Sequence, residues 1–325
     1  MSNVEETPVE LVCGSTAGHS PVEVLAPRDV PLGGPRAMSV RRTLPQRDRT
    51  MIGAWCFADH YGPDDVSETG GMDVAPHPHT GLQTASWLFT GEIEHRDSLG
   101  VHALVRPGEL NLMTGGSGIC HSEVSTPTTT VLHGVQLWIA LPDAHRDAPR
   151  AFQHHVPSPV ALNGAVVRVF LGTLCGDTSP VPTHTPLLGA ELVLEKNARL
   201  VLDVDPAFEH GILVDQGSTT LNGTTLKHGE LGYVAAGATT LHLDNPGDDE
   251  ARVVLLGGVP FGEEIVMWWN FVGRTHDEIA RFRDEWQAES DRFGRVEGYP
   301  GTRLPAPPLP TGRLRPRRNP NQPAR

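Results

Sequence analysis

The chain has 325 residues, with 39 acidic against 26 basic side chains and a formal charge of -13. It is long enough to bury a core without covalent staples, and 38% apolar with 20% charged residues excludes wholesale disorder. The acidic balance argues against direct nucleic-acid binding through a general basic surface.

The first residues, Met1 to Glu6, are acidic and carry no apolar core of a secretory signal. Cys13, Cys56, Cys120 and Cys175 are far apart and form no C-x-x-C, so neither a disulfide framework nor a thiolate zinc site is expected. No apolar run approaches the roughly 20 residues that a membrane helix needs. These features predict a cytoplasmic protein with no membrane partner. Residues 1–20 read as a flexible lead-in.

From 21 to 145, short β-prone runs alternate with Gly, Pro and Asp. Ser86 to Phe89 is closed by Gly91, Val101 to Val105 by Pro107-Gly108, and Val131 to Leu141 by Pro142. Turn signals at this spacing predict an all-β barrel or sandwich. Residues 146–164 carry Pro149, Pro157 and Pro159 and read as a linker. A second β-rich unit follows over 165–265, with cores at Leu192–Leu194, Leu200–Leu202, Ile212–Val214 and Val253–Leu256. It can be laid on the first at an offset of 121. Pro107-Gly108-Glu109-Leu110 then matches His228-Gly229-Glu230-Leu231, and His121-Ser122-Glu123 matches His242-Leu243-Asp244. A weak internal repeat of this kind predicts two barrels of one design.

Within 266–300, Thr275-His276-Asp277-Glu278 has the spacing of a capping box. Ile279, Phe282 and Trp286 then share one helical face, so a helix is predicted over 275–289. Residues 301–325 hold six Arg, seven Pro and no acid, which predicts an extended, mobile tail.

The strongest chemical signal is His77-Pro78-His79. On a strand, residues i and i+2 point to one face, so two imidazoles can share a metal. The competing reading is a rim pair with proline fixing the backbone. His121-Ser122-Glu123 has the same spacing and follows the glycine-rich turn Gly115-Gly116-Ser117-Gly118. If the two strands face each other inside a small barrel, His77, His79, His121 and Glu123 converge. Three imidazoles and a carboxylate suit one divalent first-row metal, with positions left open for chemistry. In the second unit, the place of His-x-His falls near Ala198 to Asp203, without histidine, so no complete metal site is expected there. His95 reads as part of a polar hairpin turn, Cys120 as a small buried residue, and Trp268-Trp269 as packing anchors ahead of the helix.

Several segments, in order, resemble the pirin family of the cupin superfamily. They include Phe57 to Pro63, His77 to Thr84, Gly91 to Ser98, Pro107 to Glu109 leading to His121-Ser122-Glu123, His133 to Trp138, and Gly257 to Glu263. The resemblance implies two tandem cupin barrels, double-stranded β-helices of jelly-roll type, followed by a C-terminal helix. It implies one metal in the N-terminal barrel, held by His77, His79, His121 and Glu123. Iron is the first choice, with Mn, Co, Ni, Cu or Zn allowed by the ligand types. Many cupins place a ligating Glu shortly after His-x-His. Here Gln83 stands there, and an amide is a poor ligand for such a metal. The implied activity is a metal-dependent dioxygenase of the quercetin 2,3-dioxygenase type, taking a flavonol or related phenol and O₂ as substrates. Glu123 would accept the flavonol 3-hydroxyl proton as general base. The alternative is a non-enzymatic regulator that binds a protein partner according to metal oxidation state.

Overall fold

The computed structural model describes residues 20–32, 38–317 and 319. All but the last residue of the expected lead-in lies outside them. The short runs become antiparallel strands, and the Gly and Pro signals fall between them. In the first half, Ala151–His155, Leu110–Thr114, Leu82–Thr90, Val131–Ala140, Trp55–Asp65, Met38–Leu44 and Arg28–Leu32 form a seven-stranded sheet in that order. Asp73–His79, Ile119–Ser125, Ile93–Asp97 and His102–Val105 form a four-stranded one.

The second half repeats the design with seven strands ending on Val160–Leu162 and four around Arg199–Asp203 and Thr240–Asp244. The two predicted barrels are thus present. The repeat at offset 121 has a structural counterpart. Leu110 and Leu231 each open a strand of the large sheet, and His121 and His242 each sit in a strand of the small one.

The two interiors differ in chemistry. In the second barrel Leu200, Leu202, Leu241 and Leu243 are buried, while Val201 and His242 between them are not. Alternation along a strand therefore turns His242 away from the interior. Aliphatic packing fills the place that histidines occupy in the first barrel.

Two segments are used differently from the sequence expectation. Val22–Leu25 pairs with Leu231–Val234, inside the sheet of the second barrel. The proline-rich connector supplies Ala151–His155 to the first large sheet and Val160–Leu162 to the second. Both are edge strands, and Pro157 and Pro159 lie between them, where no ladder hydrogen bond is lost.

The helix spans His276–Gln287. Glu278 N–H donates to Thr275 Oγ1 and Thr275 N–H to Glu278 Oε2, each at 3.2 Å. Ile279, Phe282 and Trp286 are its buried face. Beyond it the chain is extended, as expected, but it is anchored rather than mobile over 301–317. Leu304 N–H donates to the Pro76 carbonyl at 2.8 Å, and Trp286 Nε1 to the Leu304 carbonyl at 2.8 Å. Arg317 bridges Ile265. Asn319 accepts from Thr50 and Met51 backbone N–H groups at 2.8 and 2.9 Å. An extended chain gains order here because its backbone polar groups find partners on the barrels.

The barrels meet through a continuous apolar core crossed by buried polar contacts. Trp55 Nε1 donates to the Leu188 and Gly257 carbonyls at 3.1 and 3.2 Å. Trp87 Nε1 donates to Glu191 at 2.7 Å, and Gly53 N–H to Glu209 at 2.6 Å. Asp215 of the second barrel centres the largest group. His60 Nε2 and His133 Nε2, both from the first barrel, lie 2.7 and 2.6 Å from its Oδ1, and Arg252 lies 3.1 Å from Oδ2. Burial alone would raise the Asp215 pKa, but its contacts with His133 and His60 outweigh that and hold it below the carboxylate range. Burial pushes His60 down to about 4 and His210 down to about 4.

The sign of the pH dependence follows. These two histidines stay neutral in the fold below pH 6.5, whereas the unfolded chain takes up protons there. Stability is therefore retained above about pH 6.5 and lost as pH falls toward 4, by about 1 kcal/mol per pH unit for each histidine. Thermal melts between pH 7.5 and 4.5 are expected to show a falling midpoint. A flat profile would contradict buried neutral histidines at these positions.

Candidate metal centre

His77 and His79 sit two apart on Asp73–His79, and Ile119–Ser125 runs antiparallel beside it. His121 is directly opposite His77 and Ile119 opposite His79. Register alone thus places three imidazoles on one inward face. Their ring centroids are 4.4 to 5.0 Å apart, and their ligating nitrogens all lie within 4.8 Å of one another. All three are buried. The turn after His79 needs Gly81, whose φ is +66°. A Cβ there would stand 2.3 Å from the Val272 carbonyl oxygen. Gly116 plays the same part on the other side, where a Cβ would meet the Ala148 carbonyl at 1.8 Å.

The protonation pattern leaves lone pairs pointing inward. Burial pushes His77 down to about 4, although a bond to the Ala75 carbonyl opposes it. Burial, followed by the neighbouring histidines, holds His79 and His121 well below the ordinary range. His77 Nδ1 donates to the Ala75 carbonyl at 3.0 Å, so its Nε2 is the unprotonated nitrogen. His79 Nε2 and His121 Nε2 stand 3.0 Å apart. Two nitrogen lone pairs at that distance repel unless a proton or a cation lies between them. This donor set fits a divalent metal.

Glu123 comes close but not into the same triangle. A bulge between His121 and Glu123 shifts the register, and the carboxylate groups with His121 and His95. It lines the same cavity as His77 and His79. Ser86 Oγ lies 3.4 Å from it, and burial raises its pKa.

His95 and Asp97 went unrecognised in the sequence. His95 is 3% exposed, with Nδ1 3.3 Å from His121 Nδ1 and Nε2 3.2 Å from Asp97. With Nε2–H donating to Asp97, His95 Nδ1 can accept from His121 Nδ1–H. That chain leaves His121 Nε2 unprotonated and fixes its ring. The signal was present as alternation. In Ile93–Asp97, Glu94 and Arg96 face outward, which turns His95 and Asp97 in. Gln83 stays outside the cluster, donating to Thr114 at 2.9 Å. Cys120 is buried behind the strand against the Gly294 carbonyl, with its thiol pushed up to about 11, as befits a packing residue.

A second triangle, His60, His133 and Asp215, is equally buried. Here Arg41 Nε donates to His60 Nδ1 at 3.2 Å. His60 Nε2 must then carry the proton that it gives Asp215, and no lone pair remains for a cation. Arg252 adds a positive charge on the same carboxylate. Hydrogen bonding thus leaves His60 no lone pair for a cation, and the Asp215 charge is already met by Arg252.

The first triangle opens on a cavity of about 400 Å³, within the range of small-molecule sites. Phe57 and Trp138 stack along its wall, 4.0 Å apart and 12° from parallel. Arg42 lies 4.3 Å over Phe57 and grips Asp59 with two bonds of 2.6 and 2.7 Å. Burial raises the Asp59 pKa, and Arg42 opposes it. Trp269, Asn270 and Leu304 also line it. Trp269 has φ +53°, an unusual conformation for a bulky side chain that costs of order 1–3 kcal/mol.

Residues 37–139 match the family described as Pirin, and residues 189–294 match the Pirin C-terminal cupin domain. A Pseudomonas aeruginosa protein named "putative quercetin 2,3-dioxygenase" is 46% identical over 87% of this chain and 89% of its own. A pirin-like protein of Caulobacter vibrioides is 34% identical over 77% and 88%. The crystal structure of a quercetin 2,3-dioxygenase from Acinetobacter baumannii superposes with a TM-score of 0.85 at 39% identity. The match covers 90% of this chain and 96% of that one. The ordered motifs, the paired barrels and these matches agree: the chain belongs to the pirin family.

Proposed function

We propose that the protein is a metal-dependent dioxygenase of the quercetin 2,3-dioxygenase type, acting in the cytoplasm on a flavonol or a related phenol with O₂. The observation that carries this reading is the convergence of three buried imidazoles on a cavity faced with stacked aromatic rings. The names of the 46% and 39% identical relatives support it.

His77, His79 and His121, with Glu123, would hold one divalent first-row metal, iron being the first choice. The metal would supply a Lewis-acidic position for the phenol oxygen and the redox chemistry with O₂. The remaining work belongs to the chain. The Ala75 carbonyl and the His95–Asp97 pair orient the imidazoles. Phe57 and Trp138 offer a flat apolar face to a planar ring system. Glu123, with its pKa raised by burial, accepts the flavonol hydroxyl proton. Quercetin plus O₂ yields a depside and carbon monoxide, which balances in carbon, hydrogen and oxygen.

Aerobic turnover of quercetin by protein loaded separately with Fe(II), Mn, Co, Ni or Cu tests the reading, with carbon monoxide as product. His79→Ala is expected to abolish both tight metal binding and turnover. Tight binding without turnover of any flavonol would overturn the dioxygenase reading in favour of a metal-responsive binding protein. Glu123→Gln is expected to lower turnover about 10²–10⁴-fold in metal-loaded protein. His95→Leu frees the His121 ring and is expected to weaken metal affinity roughly 10–100-fold. Chelator competition measures that change, and His95→Gln, which keeps an acceptor, should recover part of it.

A further inference from the structure

Trp269 occupies a place where its own backbone disfavours it. Val266–Trp268 and Phe271–Gly273 form a hairpin, with Trp268 opposite Phe271 and only Trp269 and Asn270 between them. Two-residue hairpin turns that require positive φ favour Gly, Asn or Asp at that place. Trp269 nevertheless adopts φ +53°.

The hairpin is fixed on both sides, so the strain cannot relax. Val272 N–H donates to the Thr80 carbonyl at 3.0 Å, one residue past His79. On the other side Phe271 packs against Phe282 of the helix and Phe293, with centroids 6.0 and 5.9 Å apart. The Trp269 ring meets Phe271 edge-on, with centroids 5.4 Å apart, so one side of it packs on the core as a packing anchor would. Phe271 fills the core beneath, whereas Trp269 is only half-buried and faces the cavity that His77, His79, Phe57 and Trp138 also line. Glycine would make this turn without strain. Glycine would forfeit the contact with Phe271 and, on the other side of the ring, an aromatic face at the cavity.

We propose that Trp269 is a specificity-determining residue, its indole forming the aromatic wall that, with the Phe57–Trp138 stack, selects planar aromatic ligands at the metal. This rests on the dioxygenase reading for the class of substrate, and it adds the residue that enforces it. Strained backbone held in place by the surrounding structure clusters at ligand sites, and the strained residue here lines the cavity.

Quercetin binding to metal-loaded protein without oxygen, followed by absorbance, tests the proposal in wild type, Trp269→Gly, Trp269→Ala and Trp269→Phe. The Gly variant is expected to bind about tenfold more weakly and the Phe variant within about threefold of wild type. Metal affinity by chelator competition should change by less than about twofold, because the imidazoles are untouched. The Gly variant should melt at a higher temperature than the Ala variant, since both lose the ring and only Gly suits the backbone. Undiminished binding in Trp269→Gly, or an Ala variant as stable as the Gly variant, would overturn the inference while leaving the dioxygenase reading in place. Ring-dependent binding without turnover in air would support it and sink the dioxygenase reading. A wild type that binds no flavonol would overturn both.

Discussion

Desolvation of three crowded imidazoles is the constraint on which the first barrel is organised. Imidazolium charges inside this interior would lose their hydration and repel one another. The rings therefore stay neutral, and neutral rings present lone pairs. Each lone pair must then be aimed, which is a matter of what the other ring nitrogen does. His77 uses the Ala75 carbonyl and His121 uses His95 with Asp97 behind it. His60 shows the opposite outcome from the same side chain. Arg41 donates to one nitrogen, the proton is forced to the other, and the ring becomes a donor to Asp215. Two histidine clusters of similar burial thus separate into a candidate ligand set and a fastener between barrels. The difference lies in the neighbours rather than in the histidines.

The local features of this fold were legible. The capping box at Thr275 and Glu278, the inward pair His77 and His79, and the repeat at offset 121 each depend on residues close in sequence or on a fixed spacing. Strand periodicity put His77 with His79 on one face, whereas the register that sets His121 opposite His77 is a property of the folded sheet. What escaped depends on partners far apart in the chain. His95 looked like a turn residue because Glu94 and Arg96 beside it are charged. Its burial is set by pairing with the strand of His121. The arginine-rich tail looked solvated because its composition is polar. Its order comes from backbone groups meeting Pro76 and Ile265 and from the Asn319 side chain meeting Met51. Glu123 was placed correctly on its strand, but the bulge beside it is a register irregularity that spacing does not announce.

The second barrel shows how little is needed to remove a site from a scaffold. Its small sheet keeps the pairing of Arg199–Asp203 with Thr240–Asp244, yet leucines occupy the inward positions. Leucines at these positions offer no lone pair to a metal and fill the space that one would need. What the second half contributes is surface for the first. It supplies Asp215, Glu191 and Glu209 to receive donors from His60, Trp87 and Gly53, and the segments after it supply Trp269, Asn270 and Leu304 to the cavity.

The crossing of Val22–Leu25 into the second barrel bears on how the chain is made. During synthesis the partner Leu231–Val234 follows this strand roughly two hundred residues later. Until then the strand waits unpaired, and the loop that closes the pairing contains the whole first barrel. Contacts of such long range slow folding and expose strand edges to wrong partners. The two barrels therefore look modular in architecture, but the second is completed by a strand that precedes the first.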